Sequence, residues 1–238
     1  MIEAHKIRWL ERLFLWEVRR VMRRRFFGVY VRGLPALQRA AALGQPLIVC
    51  ANHTNWWDGF AAAMLIPLLP RHSHYLAQSE ELLALYRPLR WLGAFGVDIH
   101  RSPLAGTRYA LSLLRNARNA VWLFPQGKLV PQWVPIEVKP GALWMARQSG
   151  ACVLPIAFRY EWMVESRPSI FIHCGGLLEA EIGDEALAQT LQKLYDALGE
   201  TLNPVDLSPY ASLYPPRMSM NKVWEWWTRS GPVNPRNE

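Results

Sequence analysis

The chain has 238 residues, 51% of them apolar, and a formal net charge of +8. That length suits one large domain better than two small ones, and the composition supports a full hydrophobic core and argues against an intrinsically disordered chain. The charge calls for an anionic partner, which the balance alone leaves open among phospholipid headgroups, a phosphorylated co-substrate and nucleic acid.

Residues 3–31 read as one long helix. Ile7, Leu10, Phe14, Val18, Val21 and Met22 recur at spacings of three and four, with Trp9, Leu13 and Trp16 widening the stripe. Arginines fill the rest. Residues 1–32 hold nine basic and three acidic side chains, a net +6 of the total +8. A basic amphipathic helix of this kind suits the headgroup region of an anionic bilayer, and the same pattern suits packing on a core. Gly33-Leu34-Pro35 breaks it. The expected organisation is a membrane-associating helix over 1–32, a main domain over 33–203 and a Pro/Trp-rich tail over 204–238.

The main domain alternates strands with helices. Leu47 to Ala51 is a short apolar run of buried-strand type, and Trp57 to Leu69 is helix-like up to Pro70. Glu80 to Leu92 reads as a helix interrupted near Pro88, Val97 to Ile99 as a weak strand, and Leu104 to Ala117 as a helix. Ala120 to Phe124 is a strand, Gly141 to Gln148 a helix, and Ala151 to Phe158 and Ser169 to Cys174 are strands. Asp184 to Leu198 is a helix capped by its first residue. This order predicts an α/β fold with a mostly parallel central sheet flanked by helices. Past Asn203 the pattern gives way to prolines and the cluster Val223-Trp224-Glu225-Trp226-Trp227, suited to an interfacial anchor or a tucked tail.

No apolar run reaches the roughly 18–20 residues of a transmembrane helix; the longest, Phe60 to Pro70, contains Pro67. The N-terminal apolar residues are interleaved with arginines, unlike a signal peptide. The expected location is therefore peripheral, on the cytoplasmic face of a membrane. Cys50, Cys152 and Cys174 are too few and too far apart for a disulfide framework or a metal site, and read as buried, reduced thiols. No metal and no cofactor is expected.

The segment richest in chemistry is Asn52-His53-Thr54-Asn55-Trp56-Trp57-Asp58, directly after a buried strand. In open α/β sheets, ligands sit at the loops on the carboxyl ends of strands. On a continuous helix, five residues turn through about 500°, so His53 and Asp58 would point apart. With His53 on a loop and a helix starting near Asn55 or Trp56, the carboxylate can reach back to the imidazole. Such a carboxylate fixes the tautomer and leaves the other ring nitrogen as a general base.

Asn52-His53 to Asp58, an H-x-x-x-x-D spacing, resembles the first signature of the lysophospholipid (glycerolipid) acyltransferase superfamily. Three further blocks follow in that family's order. Gly96-Val97-Asp98-Ile99-His100-Arg101 resembles the second. Phe124-Pro125-Gln126-Gly127 resembles the third, F-P-E-G-T/S-R, and Val153-Leu154-Pro155-Ile156 the fourth. Lys139-Pro140-Gly141-Ala142 looks like the family's lysine- and glycine-bearing helix start, and the resemblance spans roughly residues 33–175.

The resemblance implies acyl transfer from acyl-CoA or acyl-carrier protein, as co-substrate, to a hydroxyl of a lysophospholipid such as 1-acylglycerol-3-phosphate. His53 would be the general base and Asp58 its partner. Asn52, Arg101, Gln126, Gly127 and Lys128 would meet substrate, with backbone amides near Gly127 stabilising the oxyanion. The chain departs from the family at Gln126, where the motif has glutamate, and at Lys128-Leu129, where it has threonine-arginine. Gln126 loses a charge and Leu129 loses a phosphate-binding fork. These departures open two alternatives: a non-phosphorylated acceptor such as a glycolipid or carotenoid glycoside, and a non-catalytic lipid-binding protein of the same fold.

Among the remaining side chains, His100 would line the acceptor site. His5, His72 and His74 read as surface histidines, and His173 as structural. Trp56 and Trp57 either wall the acyl channel or pack the helix start. No nucleic-acid motif is present, and the apolar face of the first helix is too aromatic for a basic arm, so no nucleic-acid partner is expected.

Overall fold

A computed structural model of the chain describes residues 1–98, 103–163, 165–202 and 206–214. Its architecture is an eight-stranded sheet of order β4-β3-β5-β2-β6-β7-β1-β8, parallel except where β6 meets β7 and β1 meets β8. The strands are β1 Val29–Arg32, β2 Leu47–Ala51, β3 Ser73–Ser79, β4 Ala94–Val97, β5 Asn119–Leu123, β6 Cys152–Glu161, β7 Ser169–Cys174 and β8 Ala211–Ser212. The helices are α1 Arg8–Arg25, α2 Leu34–Ala42, α3 Asp58–Leu65, α4 Glu80–Leu85, α5 Pro103–Leu114, α6 Ala142–Ser149 and α7 Asp184–Leu202.

Side-chain alternation along the buried strands explains why both faces are covered. In β2, Leu47, Val49 and Ala51 pack with Val18 and Met22 of α1, Leu37 of α2 and Leu65 of α3. Ile48 and Cys50 turn the other way, to Leu114 of α5, Leu143 of α6 and Leu191 of α7. A parallel sheet covered on both sides accounts for the continuous apolar run in β2.

The first helix is shorter than its periodicity predicts. Residues before Arg8 are extended because their backbone bonds go elsewhere: His5 N–H donates to Arg90 O and Ile7 N–H to Trp91 O. The C-terminal end stops at Arg25, and the β-branched and aromatic run Val29-Tyr30-Val31 enters the sheet between β7 and β8. At Gly33, φ is +84° and an added Cβ would lie 2.0 Å from the Cys174 carbonyl oxygen, so only glycine fits. Pro35 then sits in the first turn of α2, where its missing N–H costs nothing. The break was legible and the helix after it was not.

Two strands also differ. Ser73–Ser79 is an interior strand between β4 and β5, although His74 within it and His72 just before it read as surface residues. His72 and His74 are buried: His74 donates from Nε2 to Leu69 O and accepts from Trp122 Nε1 at Nδ1. The fourth strand is Ala94–Val97, upstream of the expected 97–99, whose last residue lies outside the described residues. All three cysteines are free thiols, and burial pushes those of Cys50 and Cys174 up to about 12. Among the described residues, no helix is long and apolar enough to cross a membrane.

Candidate active site

The carboxyl ends of β4, β3, β5 and β2 open onto one cleft of about 400 Å³. His53 enters it from the loop after β2. Five residues on, Asp58 is the first residue of α3 and is fully buried. The intervening chain wraps around this carboxylate. Oδ2 accepts from His53 Nδ1 at 2.8 Å, Thr54 N at 2.8 Å and Asn55 N at 2.9 Å. Oδ1 accepts from the Tyr160 hydroxyl at 2.7 Å. The buried negative charge is thus compensated by four donors, which burial of a carboxylate requires.

The helix begins three residues later than Asn55, and Asn55 Oδ1 accepts from Trp57 N–H just before it. That turn lets an i to i+5 pair meet. Because the carboxylate only accepts, the shared proton belongs to His53 Nδ1, and Nε2 keeps a lone pair for the cleft. The His53 ring stacks on Phe124, centroids 4.3 Å apart, which fixes its plane. Its peptide is held at both ends: His53 N–H donates to Gln126 Oε1 at 2.6 Å, and Val130 N–H donates to His53 O at 2.9 Å.

Several residues expected at the substrate have other partners. Asn52 is fully buried, and its amide bonds both backbone groups of Phe158, donating to O at 2.9 Å and accepting from N at 2.7 Å. It continues the β2–β6 ladder one step past Ala51 and so sets where His53 emerges. Gln126 is buried and holds the His53 peptide through an oxygen that a glutamate would equally provide. Gly127 N–H, expected as an oxyanion donor, closes a turn onto Phe124 O. Gly127 suits this turn: φ is +71°, where a side chain would be strained, and Lys139 Nζ lies 3.2 Å from where a Cβ would be.

Lys128 and Lys139 are exposed and line the cleft, so two cations stand on its outer side. The inner side is apolar, with Phe95, Ala110 and Met145 buried. Leu129 is 51% exposed and borders this cleft and a second, wider one of about 820 Å³. Trp56 and Trp57 line the second cleft with Trp133, Trp162 and Tyr160. Trp57 also packs edge-on against Phe26 at 5.3 Å. Arg101 and His100 lie outside the described residues.

Tyr160 carried no signal in the sequence. It stands 102 residues from Asp58 at the end of β6, which overhangs β2. Burial, and then the Asp58 charge, hold its phenol well above the ordinary value of 10.0, so the hydroxyl stays protonated and donates.

The fold resembles the crystal structure of the 1-acyl-sn-glycerophosphate (LPA) acyltransferase PlsC from Thermotoga maritima, with a TM-score of 0.58 at 17% sequence identity. The match covers 82% of this chain and 84% of that one. The sequence model of the acyltransferase family matches residues 28–159, which contain His53, Asp58 and Gly127 and more than half of the chain. The chain belongs to the acyltransferase family.

Proposed function

We propose that the chain transfers a fatty acyl group from an acyl-CoA or acyl-carrier-protein thioester to a hydroxyl of a lysophospholipid such as 1-acylglycerol-3-phosphate. The observation that carries this reading is the buried carboxylate on His53 Nδ1, with the other ring nitrogen left to a cleft that is cationic outside and apolar inside. Nε2 of His53 takes the proton of the acceptor hydroxyl as its oxygen attacks the thioester carbonyl. Asp58 supports the imidazolium that forms. The tetrahedral intermediate collapses, the carbon–sulfur bond breaks, and the imidazolium returns its proton to the departing sulfur. Lys128 and Lys139 take the anionic groups of the substrates, and the apolar side takes the acyl chain.

Reaction at a membrane surface is supported by α1. Its inner face packs Val18 and Met22 on the core, while Trp9, Leu13 and Trp16 point outward with exposures of 67%, 53% and 60% beside exposed arginines. A second reading, a non-phosphorylated glycolipid acceptor, rests on Leu129, which puts an exposed apolar side chain on the cleft where the family motif has arginine.

Labelled palmitoyl-CoA and palmitoyl-carrier protein, each offered with 1-acylglycerol-3-phosphate or a glycosyl lipid, test the proposal. Label should appear in the phospholipid with the native protein and not with His53→Ala. Label only in the glycolipid establishes the second reading. Equal transfer by His53→Ala overturns the mechanism, and no transfer from either donor turns the reading toward lipid binding without turnover.

A further inference from the structure

We propose that Tyr160 is a positioning residue for the base, holding the Asp58 carboxylate in the rotamer that keeps Oδ2 on His53 Nδ1. The inference rests on reading His53 and Asp58 as the general-base pair. Oδ2 gathers three donors from one side: the imidazole and the amides of Thr54 and Asn55. Oδ1 has one donor among the described residues, the Tyr160 hydroxyl at 2.7 Å. Asp58 has no exposed surface, so in the native fold Oδ1 depends on this donor rather than on solvent.

The placement of Tyr160 is itself fixed twice. Two residues earlier on β6, the Phe158 backbone is clamped by Asn52, the residue directly before His53. Beyond the ring lies Phe26, centroids 6.1 Å apart. One strand end therefore sets both the emergence of the histidine and the far side of its carboxylate. Packing alone does not account for a hydroxyl here, because phenylalanine fills the same volume without a buried polar atom. The hydroxyl is already committed to Asp58, so it is not a ligand donor for the aromatic cleft that the ring also borders.

Removing this donor takes the restraint off Oδ1, so the Oδ2–Nδ1 bond loosens and its proton is held less firmly. The charged and titratable groups facing the pair are Tyr160 itself, Arg25 across the aromatic cleft, and Lys128 and Lys139 on the opposite cleft. None of the other three touches Asp58, so Tyr160 is the one whose removal acts on the carboxylate directly.

The test compares full-length native protein, Tyr160→Phe and His53→Ala in palmitoyl-CoA transfer to 1-acylglycerol-3-phosphate, with the His53 Nδ1 proton followed by NMR. For Tyr160→Phe, kcat should fall roughly tenfold with KM for both substrates unchanged. The Nδ1 proton should exchange with water at least roughly tenfold faster. A purely structural role would lower the unfolding temperature and leave the Nδ1 proton exchange unmoved, which overturns the proposal. The NMR arm decides the matter even where this substrate pair gives no transfer. Inactive His53→Ala beside an unaltered Tyr160→Phe sinks the positioning role alone; native rates in His53→Ala sink the underlying reading of the base.

Discussion

Replacing Asp58 with asparagine separates the charge of the carboxylate from its shape. With the amide oxygen in the Oδ2 position, the side chain still accepts from His53 Nδ1, Thr54 N and Asn55 N, and its NH₂ can donate to the Tyr160 oxygen. The reverse orientation would set the NH₂ against two backbone N–H groups, so the tautomer of His53 is retained. What disappears is the attraction between carboxylate and imidazolium. At 2.8 Å, this has a ceiling of roughly 6 kcal/mol at an effective dielectric constant of about 20. His53 is 23% exposed, which screens part of it, so we expect a loss of about 3–5 kcal/mol of transition-state stabilisation. That is a fall of roughly 10²–10⁴-fold in kcat. Steady-state acyl transfer with purified Asp58→Asn measures it, with thermal unfolding expected within about 3 °C of native as the control. A folded variant that keeps more than a tenth of the native kcat would refute the electrostatic role assigned to Asp58.

Asn52→Ala should destabilise the fold by about 2–5 kcal/mol, because it orphans the N–H and C=O of Phe158 in a dry core; an unchanged denaturation midpoint would contradict this. Gln126→Glu should keep transfer within about threefold of native, since a carboxylate accepts equally from His53 N, whereas Gln126→Leu should lose roughly tenfold. Stability should fall on acidification. Burial holds His74 at about 3, below the unfolded 6.5, so the unfolded chain binds more protons between those values. The contribution is therefore complete above about pH 6.5 and declines toward pH 3 by up to about 1.4 kcal/mol per pH unit; urea midpoints at pH 7 and pH 5 measure it, and a higher midpoint at pH 5 would oppose it. Trp9→Ser with Trp16→Ser should weaken sedimentation with anionic vesicles by roughly tenfold or more, and undiminished sedimentation would remove α1 from the membrane role. Substitution is the sound test here, because deleting residues 1–32 would also remove β1 from the sheet interior.

The α/β class, the order of most elements and the pairing of His53 with Asp58 were legible in the sequence, because each depends on neighbours in the chain. Leu47–Ala51 reads as a buried strand from its own composition, and only four residues, Thr54 to Trp57, separate His53 from Asp58. The short motif at Gly127 shows only through its resemblance to the family's third block; its φ of +71° is a conformation that glycine adopts at no steric cost. The interior strand Ser73–Ser79 did not show, since His74 and Gln78 are polar and become tolerable there only through partners supplied by the fold, such as Trp122 for His74. Nor did the end of α1, where the helical period continues through residues that the sheet claims for β1. The hydrogen-bond partners of Asn52, Gln126 and Tyr160 were likewise decided by tertiary structure. Their partners lie 106, 73 and 102 residues away. Spacing along the chain can nominate a base and its carboxylate, but only packing decides which distant donors and acceptors hold them in place.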